Sequence, residues 1–164
     1  MSEHQSVIID LGKKVARLSE EISKSYQAAG VPEPTLEPNS SEVLESPEYN
    51  RLRASLNEAA NELTYLVTGP KKALRAFGAS HFDLAAFQTA IEFGFFEAIP
   101  LGGTKTLTEL ATTTNLSENQ VASVLRILVT HLLFVENEPG VFGHTSYSAI
   151  MAKDSDIKSA AHMQ

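Results

Sequence analysis

The chain has 164 residues, 43% of them apolar, with 13 Lys and Arg against 20 Asp and Glu and no cysteine. That length fits one domain, or one domain with an appendage, and supplies enough apolar residues for a core. A net charge of −7 disfavours phosphate backbones and anionic lipid surfaces as partners, and the lack of cysteine excludes disulfides, thiolate metal sites and a thiol nucleophile. The first five residues are polar and acidic, without a secretory pattern, and no apolar run approaches the roughly 20 residues that span a bilayer. A cytoplasmic protein with no membrane and no nucleic-acid partner is expected.

Residues 1–29 read as an N-terminal amphipathic helix, with Ile8, Leu11, Val15, Leu18, Ile22 and Tyr26 on one stripe and Lys13, Lys14, Arg17, Glu20, Glu21 and Lys24 mostly off it. Gly30 and Pro32 stop it. Residues 30–47 hold four of the seven prolines, which predicts an extended, weakly ordered linker. Ser46-Pro47 has the form of an N-cap followed by proline at the first helical position. The next helix carries Tyr49, Leu52, Leu56, Ala59, Leu63 and Leu66 on one stripe and ends at Gly69-Pro70. Both stripes must be buried, against each other, the rest of the chain or a second copy.

The segment from Phe82 to Phe96 differs, because its apolar residues surround a helix instead of lining one side. Such a helix belongs in a core or a subunit interface. A small chain can hardly shield it alone, so a homodimer through this region is expected.

Two capping boxes follow. Thr106-Leu-Thr-Glu109 opens a short helix to about Thr113, and Ser117-Glu-Asn-Gln120 opens a longer one to about Leu132. Val121, Val124, Leu125, Leu128 and Leu132 share a face of the second. Phe134-Val-Glu136 and Val141-Phe-Gly143 flank Asn137-Glu-Pro-Gly140 as a β-hairpin. The fold class is therefore mainly α, a winged helix (helix-turn-helix plus a small β-hairpin wing) with N-terminal amphipathic helices, its helical and winged-helix domain spanning 48–152 and a tail 153–164. Between residues 100 and 145 two cations stand against four anions, so a DNA-reading role is disfavoured.

Three stretches carry a family resemblance. Phe87-Gln-Thr-Ala-Ile-Glu-Phe-Gly-Phe-Phe-Glu-Ala-Ile99 resembles the "A-x-x-L-G-L-F-D-x-L" helix of plant- and fungal-type O-methyltransferases. Thr106-Leu-Thr-Glu-Leu-Ala111, with Val121 and Val124-Leu-Arg-Ile-Leu128, resembles their "T-L-x-E-L-A…V-x-x-x-L-L-R-x-L" run. Gly140-Val-Phe-Gly-His-Thr145, with Ser148, resembles the wing motif "G-x-Y-x-x-T-x-x-S". The match covers about residues 70–152, and the long N-terminal helix and Pro-rich linker look more like the fungal natural-product branch. The resemblance implies an N-terminal dimerisation domain without chemistry of its own, which intertwines two subunits and lends a wall to a substrate pocket. Catalysis and S-adenosylmethionine would belong to a following α/β domain. No Gly-rich nucleotide-binding pattern follows Met151, so no cofactor is expected in this chain.

His81, Phe82, Asp83, Phe87, Ile91, Phe95 and Phe96 are the candidate pocket or interface residues. A hydrophobic metabolite or a full-length methyltransferase would be the partner besides a second copy. Asp83 and Glu92 lie on the most apolar helix, where a carboxylate must find a partner. His4, His81, His131, His144 and His162 form no ligand pair, so no metal site is expected. Leu101-Gly-Gly-Thr-Lys105 lacks phosphate-loop spacing and reads as a loop between helices. Two other functions remain open. One is a non-methylating biosynthetic enzyme of isomerase or cyclase type, with His81 or Asp83 as acid or base. The other is the winged-helix regulator that charge disfavours.

Overall fold

The computed structural model describes residues 6–154, and the tail beyond Asp154, with His4 and His162, lies outside them. The chain divides into two compact units. The first comprises the described residues up to Pro34 together with Ser41–Gly78, and the second comprises Thr35–Ser40 with the chain from Ala79 onward.

In the first unit, helix α1 (Val7–Ala29) packs against helix α2 (Pro47–Thr68). The predicted stripes supply the packed faces, with Leu11, Leu18 and Tyr26 of α1 and Tyr49 and Ala59 of α2 buried, while Ile8 and Leu66 at their ends are exposed. Gly30 takes the left-handed conformation, and the Val31 amide returns to the Tyr26 carbonyl at 3.3 Å, closing α1. Ser46 caps α2 as expected, its hydroxyl accepting from the Tyr49 amide at 3.1 Å ahead of Pro47. Tyr26 and Tyr49 meet edge to face, and the Tyr26 hydroxyl donates to that of Tyr49 at 3.1 Å. Burial, then the Tyr26 hydroxyl, pushes the Tyr49 phenol up to about 12.

Helix α3 (Pro70–Glu92) starts well before Phe82, where the apolar segment begins. Pro70 suits a helix start because its missing N–H would be unsatisfied there anyway. The segment 82–96 is also not one helix. Gly94, at φ +68°, ends α3, and a short helix α4 (Phe95–Ala98) follows. The left-handed turn, cheap for glycine, redirects Phe95 and Phe96 into the core of the second unit.

That core also takes Ala86, Ala90 and Ile91 from α3, with Ile99, Leu110, Val121, Leu125, Leu128, Phe134 and Phe142. Helix α5 (Leu107–Thr114) and helix α6 (Glu118–Thr130) open on the two expected capping boxes. The Thr106 amide and hydroxyl both donate to Glu109 Oε2 at 2.8 Å, which holds that carboxylate below its ordinary range. Asn115, in left-handed conformation, makes the turn between the helices. Helix α6 stops two residues earlier than its apolar stripe, at Thr130. Leu132 takes φ +58° and the Leu133 amide returns to the Leu128 carbonyl at 3.0 Å, turning the chain into the wing.

Strands β2 (Phe134–Glu138) and β3 (Val141–His144) form the expected hairpin, with an irregularity between Glu136 and Glu138. Part of the segment read as a plain loop is a third strand, β1 (Thr104–Thr106), which pairs antiparallel with β3 and gives the order β1-β3-β2. Three residues are too few for an alternation pattern, and the pairing is supplied by the distant β3. Gly140, at φ +78°, forms the wing turn, and its carbonyl accepts from the Leu107 amide at 2.9 Å. Helix α7 (Ser146–Lys153) closes the described chain.

Candidate functional site

Each unit leaves large apolar side chains exposed. In the first, Tyr65, Leu66 and Val67 at the end of α2 are exposed, as are Leu74 at 71% and Phe77 at 77% at the start of α3. In the second, Phe82 is exposed to 59% and Leu84 to 52%. Helix α3 buries Ala86, Ala90 and Ile91, all near its C-terminal end, and among the described residues no other element packs extensively along it. Scattered exposed apolar residues are ordinary, and aromatic and Leu side chains repeated along one helix are the kind of surface that a partner can cover.

The sequence-derived site residues part company on this helix. Phe87 is half-buried and meets Phe96 edge to face, with ring centroids 6.0 Å apart. Ile91, Phe95 and Phe96 are core residues, Phe96 stacking on Phe134 at 5.2 Å. His81 and Phe82 stay outside the core. Asp83 finds the partner its position demanded: its Oδ2 lies 3.2 Å from Nε2 of His131, the residue that follows α6. Glu92 is exposed.

A second feature had no counterpart in the sequence reading. An open groove of about 700 Å³ lies in the second unit, lined by Leu36–Asn39, by Leu101–Thr104 and by the wing residues Phe134–Asn137 and Gly143–Thr145. None of the seven sequence candidates lines it. A methyl group on Gly143 would come within 3.1 Å of Asn137 Nδ2, so this position keeps the Asn137 amide close to the sheet. Below the groove sits a buried polar cluster. His144 Nε2 donates to the Ile99 carbonyl at 2.9 Å, and Nδ1 accepts from the Ser148 hydroxyl at 2.8 Å. Thr145 Oγ1 donates to the Leu132 carbonyl at 2.6 Å. Burial holds the His144 imidazole below the ordinary histidine value, against the opposing pull of the Ile99 and Phe96 carbonyls. The signal was present as His144-Thr-x-x-Ser148 in the wing motif, but spacing alone gives no burial.

The helix-turn-helix surface lacks a free recognition cation at its one basic position. Arg126 of α6 lies 3.5 Å from Glu136 Oε1 on the wing, and the same oxygen accepts the Gly140 amide at 2.7 Å. Among the described residues there is no group of three metal-ligating side chains and no helix long and apolar enough to cross a membrane.

The profile of the O-methyltransferase dimerisation domain matches residues 79–154, starting at the residue where the second unit resumes. These residues belong to the O-methyltransferase dimerisation family. Relatives extend the likeness through the first unit. The O-methyltransferase sol2 of Alternaria solani is 35% identical over 155 residues, covering 94% of this chain and 36% of its own length. The O-methyltransferase aurJ of Gibberella zeae is 30% identical over 157 residues, covering 93% and 36%. The chlorophenol O-methyltransferase of Trichoderma longibrachiatum is 33% identical over 111 residues, covering 68% and 24%. The crystal structure of OxaC shares the fold at a TM-score of 0.73 and 18% identity, over 95% of this chain and 34% of OxaC. The chain thus corresponds to the N-terminal part of fungal O-methyltransferases and spans about a third of the length of sol2 and aurJ. The mainly α, winged-helix reading of the sequence is the fold observed.

Proposed function

We propose that this chain pairs with a second copy of itself and serves as the dimerisation part of an S-adenosylmethionine-dependent O-methyltransferase in cytoplasmic fungal secondary metabolism. The observation that carries this reading is α3, a 23-residue helix whose buried residues are confined to Ala86, Ala90 and Ile91 while Leu74, Phe82 and Leu84 are exposed. A helix so apolar and so little covered by its own chain gains most from a symmetric partner. Methyl transfer and the binding of S-adenosylmethionine belong, in this reading, to the two-thirds of the relatives that this chain does not span. The domain contributes by fixing the distance between two such catalytic parts and by walling a pocket for a hydroxylated apolar substrate.

Sedimentation equilibrium tests the pairing. A dimer at micromolar concentration is expected, and a monodisperse monomer would overturn the reading. In this reading nucleic acid stays disfavoured as a partner by the net charge and by the Arg126–Glu136 pair. A salt-sensitive gel shift at submicromolar protein would overturn that expectation.

A further inference from the structure

Two hydrogen bonds fasten residues 35–40 to α7, one at each end of that helix. The amide of Ser146, its first residue, donates to the Leu36 carbonyl at 2.9 Å. Nζ of Lys153, its last, donates to the Pro38 carbonyl at 3.1 Å. The segment between is braced as a turn, with the Thr35 amide on Ser40 Oγ at 2.8 Å and the Ser40 amide on the Glu37 carbonyl at 2.9 Å. Where composition alone reads as a weakly ordered linker, the chain is a strap, and Leu36–Asn39 form one wall of the groove.

The start of α7 depends in turn on one imidazole. Ser148 Oγ accepts the Thr145 amide at 3.1 Å and donates to His144 Nδ1 at 2.8 Å, while Nε2 donates to Ile99. Both ring nitrogens are therefore used by the neutral form, in a residue only 4% exposed. Protonation would add an N–H at Nδ1, aimed at an oxygen that is already donating. Ser148 would have to turn its hydrogen to the Thr145 carbonyl at 3.4 Å, a poor bond for a buried hydroxyl. From α4, the Ile99 and Phe96 carbonyls and Glu97 favour the cation, and from α7, Lys153 opposes it. The Phe134 ring of β2 lies 5.7 Å away, and Glu37 and Glu136 line the same groove.

We propose that α7 is a protonation-sensitive latch: with His144 neutral it holds residues 35–40 along the groove, and with His144 charged it loosens at Ser148, releases the strap and opens the groove's wall. The sign follows from burial. A histidine held below its ordinary value of 6.5 leaves the latch closed above that value and weakens it as pH falls through and below it.

NMR on the full chain reads both ends of the coupling. The His144 ring protons report its titration, and the Ser146 amide, corrected for intrinsic exchange, reports the strap. Protection of Ser146 is expected to fall about tenfold or more as the ring becomes charged, with the resonances of residues 36–40 moving at the same midpoint. Lys153→Met should shift those resonances toward their released positions at every pH. Ser148→Ala should make the strap equally loose on both sides of the midpoint. A ring that titrates while Ser146 protection and the strap resonances stay constant overturns the proposal. So does a ring that remains neutral down to acid unfolding, or a Ser148→Ala chain that keeps the pH-dependent release.

Discussion

The two units handle their apolar residues differently. In the second, Phe95, Leu110, Val121, Leu125 and Phe142 are wholly inaccessible to solvent, and capping boxes fix where α5 and α6 begin. In the first, five residues are buried between α1 and α2, while Tyr65, Leu66, Val67, Leu74 and Phe77 remain in water. A winged helix closes a core of its own because three strands and several short helices cover one another. Two helices can bury only one stripe each against one another. One unit thus closes a core of its own, and the other holds a single seam between two helices.

Substitutions in the two units should therefore fail in different ways. Phe142→Ala removes a wholly buried ring from the middle strand of the sheet. A loss of about 3–5 kcal/mol is expected in urea unfolding of the second unit. That is comparable to the whole stability of many domains. A loss below about 1 kcal/mol would mean that this core is not what holds the winged helix together. Phe77→Asp should leave that unfolding transition nearly unchanged, because the side chain is 77% exposed. Instead it should weaken dimerisation by about 30-fold or more, the effect of losing a central aromatic anchor. Sedimentation equilibrium measures it, and an unchanged dissociation constant would place the interface elsewhere.

The third effect is smaller and local. Ser117 opens α6, its hydroxyl accepting from the Gln120 amide at 3.4 Å and donating to Gln120 Oε1 at 2.8 Å. Ser117→Ala should cost about 1 kcal/mol of second-unit stability, without changing the dimer constant. Thermal unfolding and sedimentation on the same variant separate the two. A coupled loss of dimerisation would show that the units are not energetically distinct.

Legibility in the sequence follows the range of the forces involved. Helix starts at Ser46, Thr106 and Ser117 were readable because a cap is a local hydrogen bond between residues three apart. The stripes of α1 and α2 were readable because helical period is local too. Four features were not. Strand β1 exists through β3, more than thirty residues later. Helix α7 opens on Thr145-x-x-Ser148, where serine stands in place of the Glu or Gln that marks a capping box. The strap is tied by Ser146 and Lys153, which no pattern within residues 30–47 could reveal. The break at Gly94 was visible as a glycine, but the apolar run continuing through Phe95 and Phe96 outweighed it. Of the candidate site residues, Phe87, Ile91, Phe95 and Phe96 were selected for being apolar on a crowded helix, and that property suits a core as well as a pocket. Phe82 is exposed, and the exposed Leu74 and Phe77 were not selected because the helix was taken to begin later.

Leu132 offers the finest test of how tightly the second unit is built. It sits at φ +58° where α6 turns into the wing, and its carbonyl accepts from Thr145 Oγ1 at 2.6 Å. A side chain with a Cβ costs about 1–2 kcal/mol in this conformation. Glycine removes that strain but adds about 0.5–1 kcal/mol of backbone entropy to the unfolded chain. With Leu132 48% exposed, about half of its burial is forfeited as well, about 1 kcal/mol. Leu132→Gly should therefore change the stability of the second unit by less than about 1 kcal/mol, seen as a nearly unchanged Tm. A clear loss of stability instead would mean that the isobutyl group is held against something in the assembled protein. Comparing the variant at concentrations above and below the dimer constant separates those cases, because a side chain buried only by a second copy matters only when that copy is bound.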